Sequence, residues 1–82
     1  NPFNAATRIA YMLPLGGEVR LTIYNLAGQQ VRTLLHERRA AGQHLAHWDG
    51  CTDQGLPAPS GVYICRLQTG GVIKTKRMIC LR

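Results

Sequence analysis

Residues 48–63 read W-D-G-C-T-D-Q-G-L-P-A-P-S-G-V-Y, a segment that begins with a tryptophan and ends with a tyrosine. Three glycines and two prolines lie between these rings. Such a density of glycine and proline excludes a helix and a central strand. We therefore predict a structured loop, named the clasp here (residues 48–63), whose end residues Trp48 and Tyr63 anchor it to the core.

Short segments in which apolar and polar residues alternate lie on both sides of the clasp. In residues 18–24, Val19, Leu21 and Ile23 point one way, which predicts a half-buried strand. Further strands are predicted over residues 8–13, 29–35, 43–48, 62–68 and 72–81, with Gly28 in one turn and Gly70 in another. Residues 36–42 are polar and predict a mobile surface connection. The whole pattern predicts an all-β fold, an antiparallel β-sandwich of six to seven strands.

The length and composition predict a single domain over residues 1–82. Eighty-two residues with 45% apolar and 17% charged side chains form one core, and folding buries about 60% of the unfolded surface. No apolar run approaches the roughly 20 residues of a membrane-spanning helix. The chain does not begin with methionine or a leader, so we expect a processed or excised part of a longer protein.

The charge balance is basic. Ten lysines and arginines against four acidic residues give a net charge of +6, which favours anionic partners such as surface polymers. Nucleic acid is disfavoured as a partner, because nucleic-acid binders add aromatic platforms and this chain has five aromatic residues, two of them in the clasp. Lysines on strand edges are also typical of protection against edge pairing.

Three cysteines, Cys51, Cys65 and Cys80, leave at least one thiol outside any intramolecular disulfide. A tight turn between the last two strands places Cys65 opposite or near Lys76 and Cys80 opposite Gly61. These two cysteines are then about 13 Å out of register, beyond the reach of a disulfide. We expect Cys65 and Cys80 to fill the core and Cys51 to be exposed; whether Cys51 approaches either of them stays open.

Residue types suited to catalysis occur without a catalytic pattern. The histidines, aspartates and Ser60 include the members of a nucleophilic triad, but G-x-S-x-G, H-E-x-x-H, P-loop and G-x-G-x-x-G motifs do not occur. His44 and His47 fall on opposite faces of one predicted strand and cannot bind a metal together. The sequence therefore predicts no enzyme, no catalytic residue and no cofactor.

Asp49 and Asp53 in the clasp are candidate calcium ligands, because Ca²⁺ prefers oxygen ligands in loops. Their spacing is not that of an EF-hand. The preferred interpretation is an Asx turn, in which Asp49 accepts a hydrogen bond from a backbone N–H one to three residues later. If calcium binds, Asp49 and Asp53 are the residues to test.

Several segments together resemble one immunoglobulin-like module, found as the C-terminal sorting domain of type IX secretion cargo and in the flagellar hook-capping protein. They are N-P-F-N at 1–4, V-R-L-T-I-Y-N-L-A-G-Q-Q-V at 19–31, W-D-G at 48–50, S-G-V-Y at 60–63 and K-R-M-I-C-L-R at 76–82. The resemblance implies an immunoglobulin-like sandwich. The residues that match the family pattern are Gly28, Trp48, Asp49, Gly50, Gly61, Tyr63, Lys76 and Met78.

The resemblance also implies a function. It predicts a non-catalytic C-terminal module of a secreted bacterial protein, which acts as a sorting or anchoring signal recognised by type IX secretion and outer-membrane machinery. The expected location is the cell surface, reached through the periplasm and outer membrane. Lys74, Lys76 and Arg77 are the predicted recognition surface.

The alternative is a structural, self-assembling extracellular subunit of a filament or surface layer. Such a subunit forms homo-oligomers through strand edges or by exchange of the N-terminal segment, residues 1–7. Glycan binding is disfavoured, because no planar strip of exposed aromatic residues is evident beyond Tyr24 and Tyr11.

Overall fold

The computed structural model describes residues 7–81, which form six antiparallel strands in two facing sheets. A two-stranded sheet pairs β1 with β4, and a four-stranded sheet has the order β3-β2-β5-β6. The predicted β-sandwich is confirmed. The segment N-P-F-N and Arg82 lie outside the described residues. The strands are β1 (Thr7–Leu13), β2 (Gly17–Asn25), β3 (Gln30–Arg39), β4 (Gly42–Trp48), β5 (Gly61–Thr69) and β6 (Val72–Cys80).

The core lies between the two sheets and follows the alternation of the sequence. On β2, Val19, Leu21 and Ile23 are between 0% and 1% exposed, as expected for alternate positions of a central strand. They form one buried cluster with inward-facing residues of the smaller sheet, chiefly Ile9, Leu13 and Trp48. No helix in the described part of the chain is long and apolar enough to cross a membrane.

Strand β3 is longer than predicted. Its last four residues, 36–39, pair with residues 17–20 of β2, so the predicted mobile connection over residues 36–42 is wrong. Polar side chains persist in this strand because its far end is exposed, and backbone hydrogen bonds rather than burial hold it in the ladder. Only Ala40 and Ala41 separate β3 from β4.

The hairpin of β5 and β6 has the predicted register. Cys65 lies opposite Lys76, and Cys80 lies opposite Gly61. All three cysteines are free; Cys65 and Cys80 are buried, as predicted. Cys51 is half-buried rather than exposed, with its Sγ atom 4.0 Å from the carbonyl oxygen of Asp49. The compact folding of the clasp accounts for that difference.

Candidate interaction site: the clasp and the open strand edges

The two rings at the ends of the clasp meet inside the core. The indole of Trp48 is 0% exposed, and its centroid lies 5.2 Å from that of the Tyr63 ring in an edge-to-face contact. Each ring also holds the clasp backbone: Nε1 of Trp48 donates to the carbonyl oxygen of Cys51 at 2.9 Å, and the Tyr63 hydroxyl donates to that of Pro59 at 2.6 Å. The rings therefore tie both ends of the clasp to the sandwich.

Backbone hydrogen bonds fold the middle of the clasp back on itself. Cys51 and Pro57 form an isolated antiparallel bridge, and the N–H of Gly55 donates to the carbonyl oxygen of Thr52 at 2.9 Å. The tight reversal requires positive φ, which Gly50 and Gly55 adopt at 79° and 82°. The clasp is thus an ordered turn in its own right.

Asp49 stabilises the start of the clasp. Its Oδ1 atom accepts hydrogen bonds from the backbone N–H of Cys51 at 2.9 Å and from the guanidinium of Arg32 at 3.1 Å. The first of these is the predicted Asx turn. Arg32 lies opposite Ile23 between two register shifts of the β2–β3 ladder, and such bulges re-aim the side chains of the bulged strand.

Asp53 attaches the tip of the clasp to the outer edge of β3. Its backbone N–H donates to the carbonyl oxygen of Val31 at 3.0 Å, and its Oδ1 atom accepts from the backbone N–H of Thr33 at 3.0 Å. Its Oδ2 atom lies 3.4 Å from the side-chain amide nitrogen of Gln30. The clasp therefore occupies part of an edge that would otherwise be open to strand pairing.

Calcium binding at Asp49 and Asp53 stays a prediction. Among residues 7–81, no group of three or more histidine, cysteine, aspartate or glutamate side chains is arranged to hold a metal ion. Calcium at Asp49 would compete with the guanidinium of Arg32 for the same carboxylate.

The histidines lie apart from one another. His36 hydrogen-bonds Glu18 at 3.2 Å. His44 hydrogen-bonds the carbonyl oxygen of Ala40 at 2.7 Å and stacks on Tyr11 at 5.3 Å. His47 is exposed on the opposite face of β4, as predicted. These contacts join strands to one another and do not assemble a triad from the histidines.

The remaining residues of the family pattern also serve local structure. Gly28 has a φ of 81° in the turn between β2 and β3, where its N–H donates to the carbonyl oxygen of Asn25 at 3.0 Å. Met78 is half-buried opposite Tyr63, and Gly61 begins β5. Gly28, Gly61 and Met78 therefore serve turns and strand pairing, whereas Lys76, which also matches the family pattern, is exposed on β6.

The predicted recognition surface divides between the two faces of β6. Lys74 and Lys76 lie opposite Leu67 and Cys65, on the face that continues the core side of the sheet. Arg77 lies on the other face, at the level of Ile64. All three basic side chains are exposed, because the smaller sheet has two strands and does not extend over β6.

The uncovered part of the larger sheet forms a groove that the sequence did not reveal. It has a volume of about 300 Å³ and lies between residues 9–12 of β1 and residues 74–76 of β6, and it is also lined by Leu21, Cys65 and Leu67. Burial raises the pKa of the Cys65 thiol to about 11, and the nearby Lys76 opposes this increase. The thiol is therefore neutral at physiological pH.

Comparison with known proteins connects this fold to one family. The sequence profile of the FlgD Ig-like domain matches residues 5–71. The fold is similar to that of FlgD from P. aeruginosa, with a TM-score of 0.73 and 24% sequence identity over 92% of this chain. The chain spans 60% of the length of that structure. No curated protein matches the sequence.

These findings correct two predictions. The chain was expected to be a type IX sorting signal and to reach the cell surface, but the matching profile is that of the FlgD Ig-like domain, so both predictions are wrong. The expected partners in the type IX machinery are likewise not supported. The physical reason lies in the motifs W-D-G and S-G-V-Y, whose residues build the clasp and so report the fold rather than a sorting signal.

The profile match and the structural similarity agree in fold class, and each covers most of the chain. The matched residues include both ends of the clasp and five of the six strands in full, β1 to β5. The chain belongs to the FlgD Ig-like domain family.

Proposed function

We propose that this chain is a non-catalytic structural module that provides protein–protein contacts in a flagellar hook-capping assembly. The profile match over residues 5–71 carries the proposal. The partners are then flagellar proteins, and residues 1–82 act as one immunoglobulin-like unit within a larger protein.

The geometry of the clasp supports a structural role. Asp49, Asp53, Trp48 and Tyr63 each make at least one side-chain hydrogen bond within the domain. A side chain committed in this way is poorly placed to act on a substrate. Partner proteins would then bind at the exposed strand edges and sheet faces.

The test is binding of the purified 82-residue chain to isolated flagellar hooks from P. aeruginosa, measured by co-sedimentation. We expect the chain to sediment with the hooks. The matched control is Trp48→Ala, which removes a fully buried indole and costs about 3–5 kcal/mol of stability, comparable to that of the whole domain. If the folded chain stays in the supernatant, or if the unfolded control sediments equally, the proposed function fails.

Self-association is a second candidate, and the open outer edge of β6 favours it. The net charge of +6 opposes it, because each copy repels the next. Residues 1–6, which make up most of the segment expected to exchange, lie outside the described residues. Light scattering over a range of protein concentrations decides: growth in mass with concentration supports self-association, and a concentration-independent monomer removes it.

A further inference from the structure

Strand β6 has an open outer edge. It is the last strand in the order β3-β2-β5-β6, and residues 72–77 are all exposed. In an edge strand, every second residue turns its backbone N–H and C=O groups away from its neighbour, where an added strand can pair with them. The opposite edge strand, β3, is already partly occupied by Asp53 of the clasp. Within the four-stranded sheet, strand addition is therefore more accessible at β6 than at β3.

The groove beside this edge has an apolar lining and a basic margin. Leu21 and Leu67 contribute its apolar surface, and Lys74 and Lys76 form the margin. Both lysines are exposed and lie on the groove side of β6. An open hydrogen-bonding edge is the feature used for strand addition, in which main-chain bonds give affinity and alternate side chains give specificity.

The charged side chains that line the groove, Lys74 and Lys76, are of one sign. Strands β1, β5 and β6 contain no aspartate or glutamate, while the four carboxylates of the chain lie on β2, β3 and the clasp. Glu18, Glu37 and Asp49 are paired there with His36, Arg39 and Arg32. Over the described range 7–81, no ion pair involves Lys74 or Lys76. The margin therefore carries positive charge available to an acidic partner.

We propose that an extended acidic segment of a partner protein adds as a strand to the outer edge of β6, alongside the groove between β1 and β6. This inference rests on the proposed function, because it names the surface through which the module holds a partner. Acidic side chains of the segment lie opposite Lys74 and Lys76 on the groove side. β-Branched side chains lie opposite Ile73 and Ile79 on the other face. A second copy of this chain is a poor occupant, since both copies carry +6.

The probe is a synthetic peptide of about seven residues in which glutamate alternates with valine or threonine, a length that spans most of β6. Binding is followed by NMR on the ¹⁵N-labelled chain. We expect shifts and slowed hydrogen exchange for backbone amides of β6, weakening as salt is added. A peptide with lysine in place of glutamate is the charge control, and it leaves these amides unchanged.

The matched variants are Lys76→Glu and Arg20→Glu, which change the net charge equally. Arg20 is exposed on β2, across from Gln68 of β5 and His36 of β3, and so lies away from the groove. We expect Lys76→Glu to weaken peptide binding by about tenfold and Arg20→Glu by less than about twofold. Lys76→Gln gives an intermediate loss and remains informative if the charge reversal disturbs folding.

The inference is overturned if β6 amides do not respond, if the lysine peptide binds as well, or if both charge reversals weaken binding equally. Hook co-sedimentation separates it from the proposed function. If the Lys76→Glu variant sediments with hooks as well as the unmodified chain, the groove is not the contact and the proposed function stands. If the unmodified chain fails to sediment but the glutamate peptide still binds β6, the proposed function fails. The inference that an acidic segment adds to β6 is then retained.

Discussion

Replacement of Tyr63 by phenylalanine tests whether the clasp stabilises the sandwich. The substitution removes the hydroxyl that donates to the Pro59 carbonyl oxygen at 2.6 Å and keeps the ring that contacts Trp48. A hydrogen bond of this kind contributes about 0.5–1.5 kcal/mol, and its loss costs more where the acceptor is left without that donor. We therefore expect a loss of about 1–2 kcal/mol in the free energy of unfolding. For a domain of this size, the melting temperature then falls by about 4–16 °C.

The measurement is urea and thermal unfolding followed by tryptophan fluorescence, since Trp48 is the single tryptophan and lies at the clasp. Tyr24→Phe is the matched control: Tyr24 is half-buried on β2, and its hydroxyl has no hydrogen bond within residues 7–81. Tyr63→Leu also removes the ring contact and should cost about 2–4 kcal/mol. If Tyr63→Phe unfolds like the unmodified chain, or if Tyr24→Phe costs as much, the clasp does not hold the fold in the way described.

Three further predictions concern stability. Asp53→Ala removes the acceptor for the Thr33 N–H and should cost about 1–2 kcal/mol, with faster hydrogen exchange at that amide; unchanged exchange would contradict the attachment. Gly28→Ala should cost about 1 kcal/mol in urea unfolding, because alanine resists the φ of 81°; no loss would contradict this. The pKa of Cys65 is raised from 9.0 to about 11, so the folded chain keeps a proton that the unfolded chain loses. Stability should fall by up to about 2 kcal/mol between those pH values, and Cys65→Val should lack that component.

Local patterns predicted much of the fold. Alternation in residues 18–24 identified β2, and Trp48 identified the buried face of β4, because one side of each strand must leave water. The two-glycine turn after β5 determined the register, which placed Cys65 opposite Lys76. These features depend on residues close together in the sequence.

Features that depend on distant segments were not predictable in the same way. The far end of β3 carries polar residues, and only its pairing with residues 17–20 makes it a strand. The attachment of Asp53 to Thr33 joins positions twenty residues apart. The groove exists because a four-stranded sheet faces a two-stranded one, and neither strand count nor sheet order follows from alternation alone.

The predicted site residues show the same division. The motif residues were recognised because glycine turns and buried rings leave a clear pattern in the sequence. Their contacts stabilise the fold. They therefore identified the fold correctly, but the sorting function inferred from them was wrong. Lys74, Lys76 and Arg77 are neighbours in sequence, but the strand period sends Arg77 to the opposite face.

The central claim is that this module works in a flagellar assembly as a structural element. The most direct measurement replaces the Ig-like domain of P. aeruginosa FlgD with these 82 residues, in cells that lack their own FlgD, and counts hooks by electron microscopy. A parallel strain carries the same chimera with Trp48→Ala. We expect hooks with the intact chimera and none with the substituted one. An intact chimera that accumulates as a folded protein but yields no hooks would contradict the account.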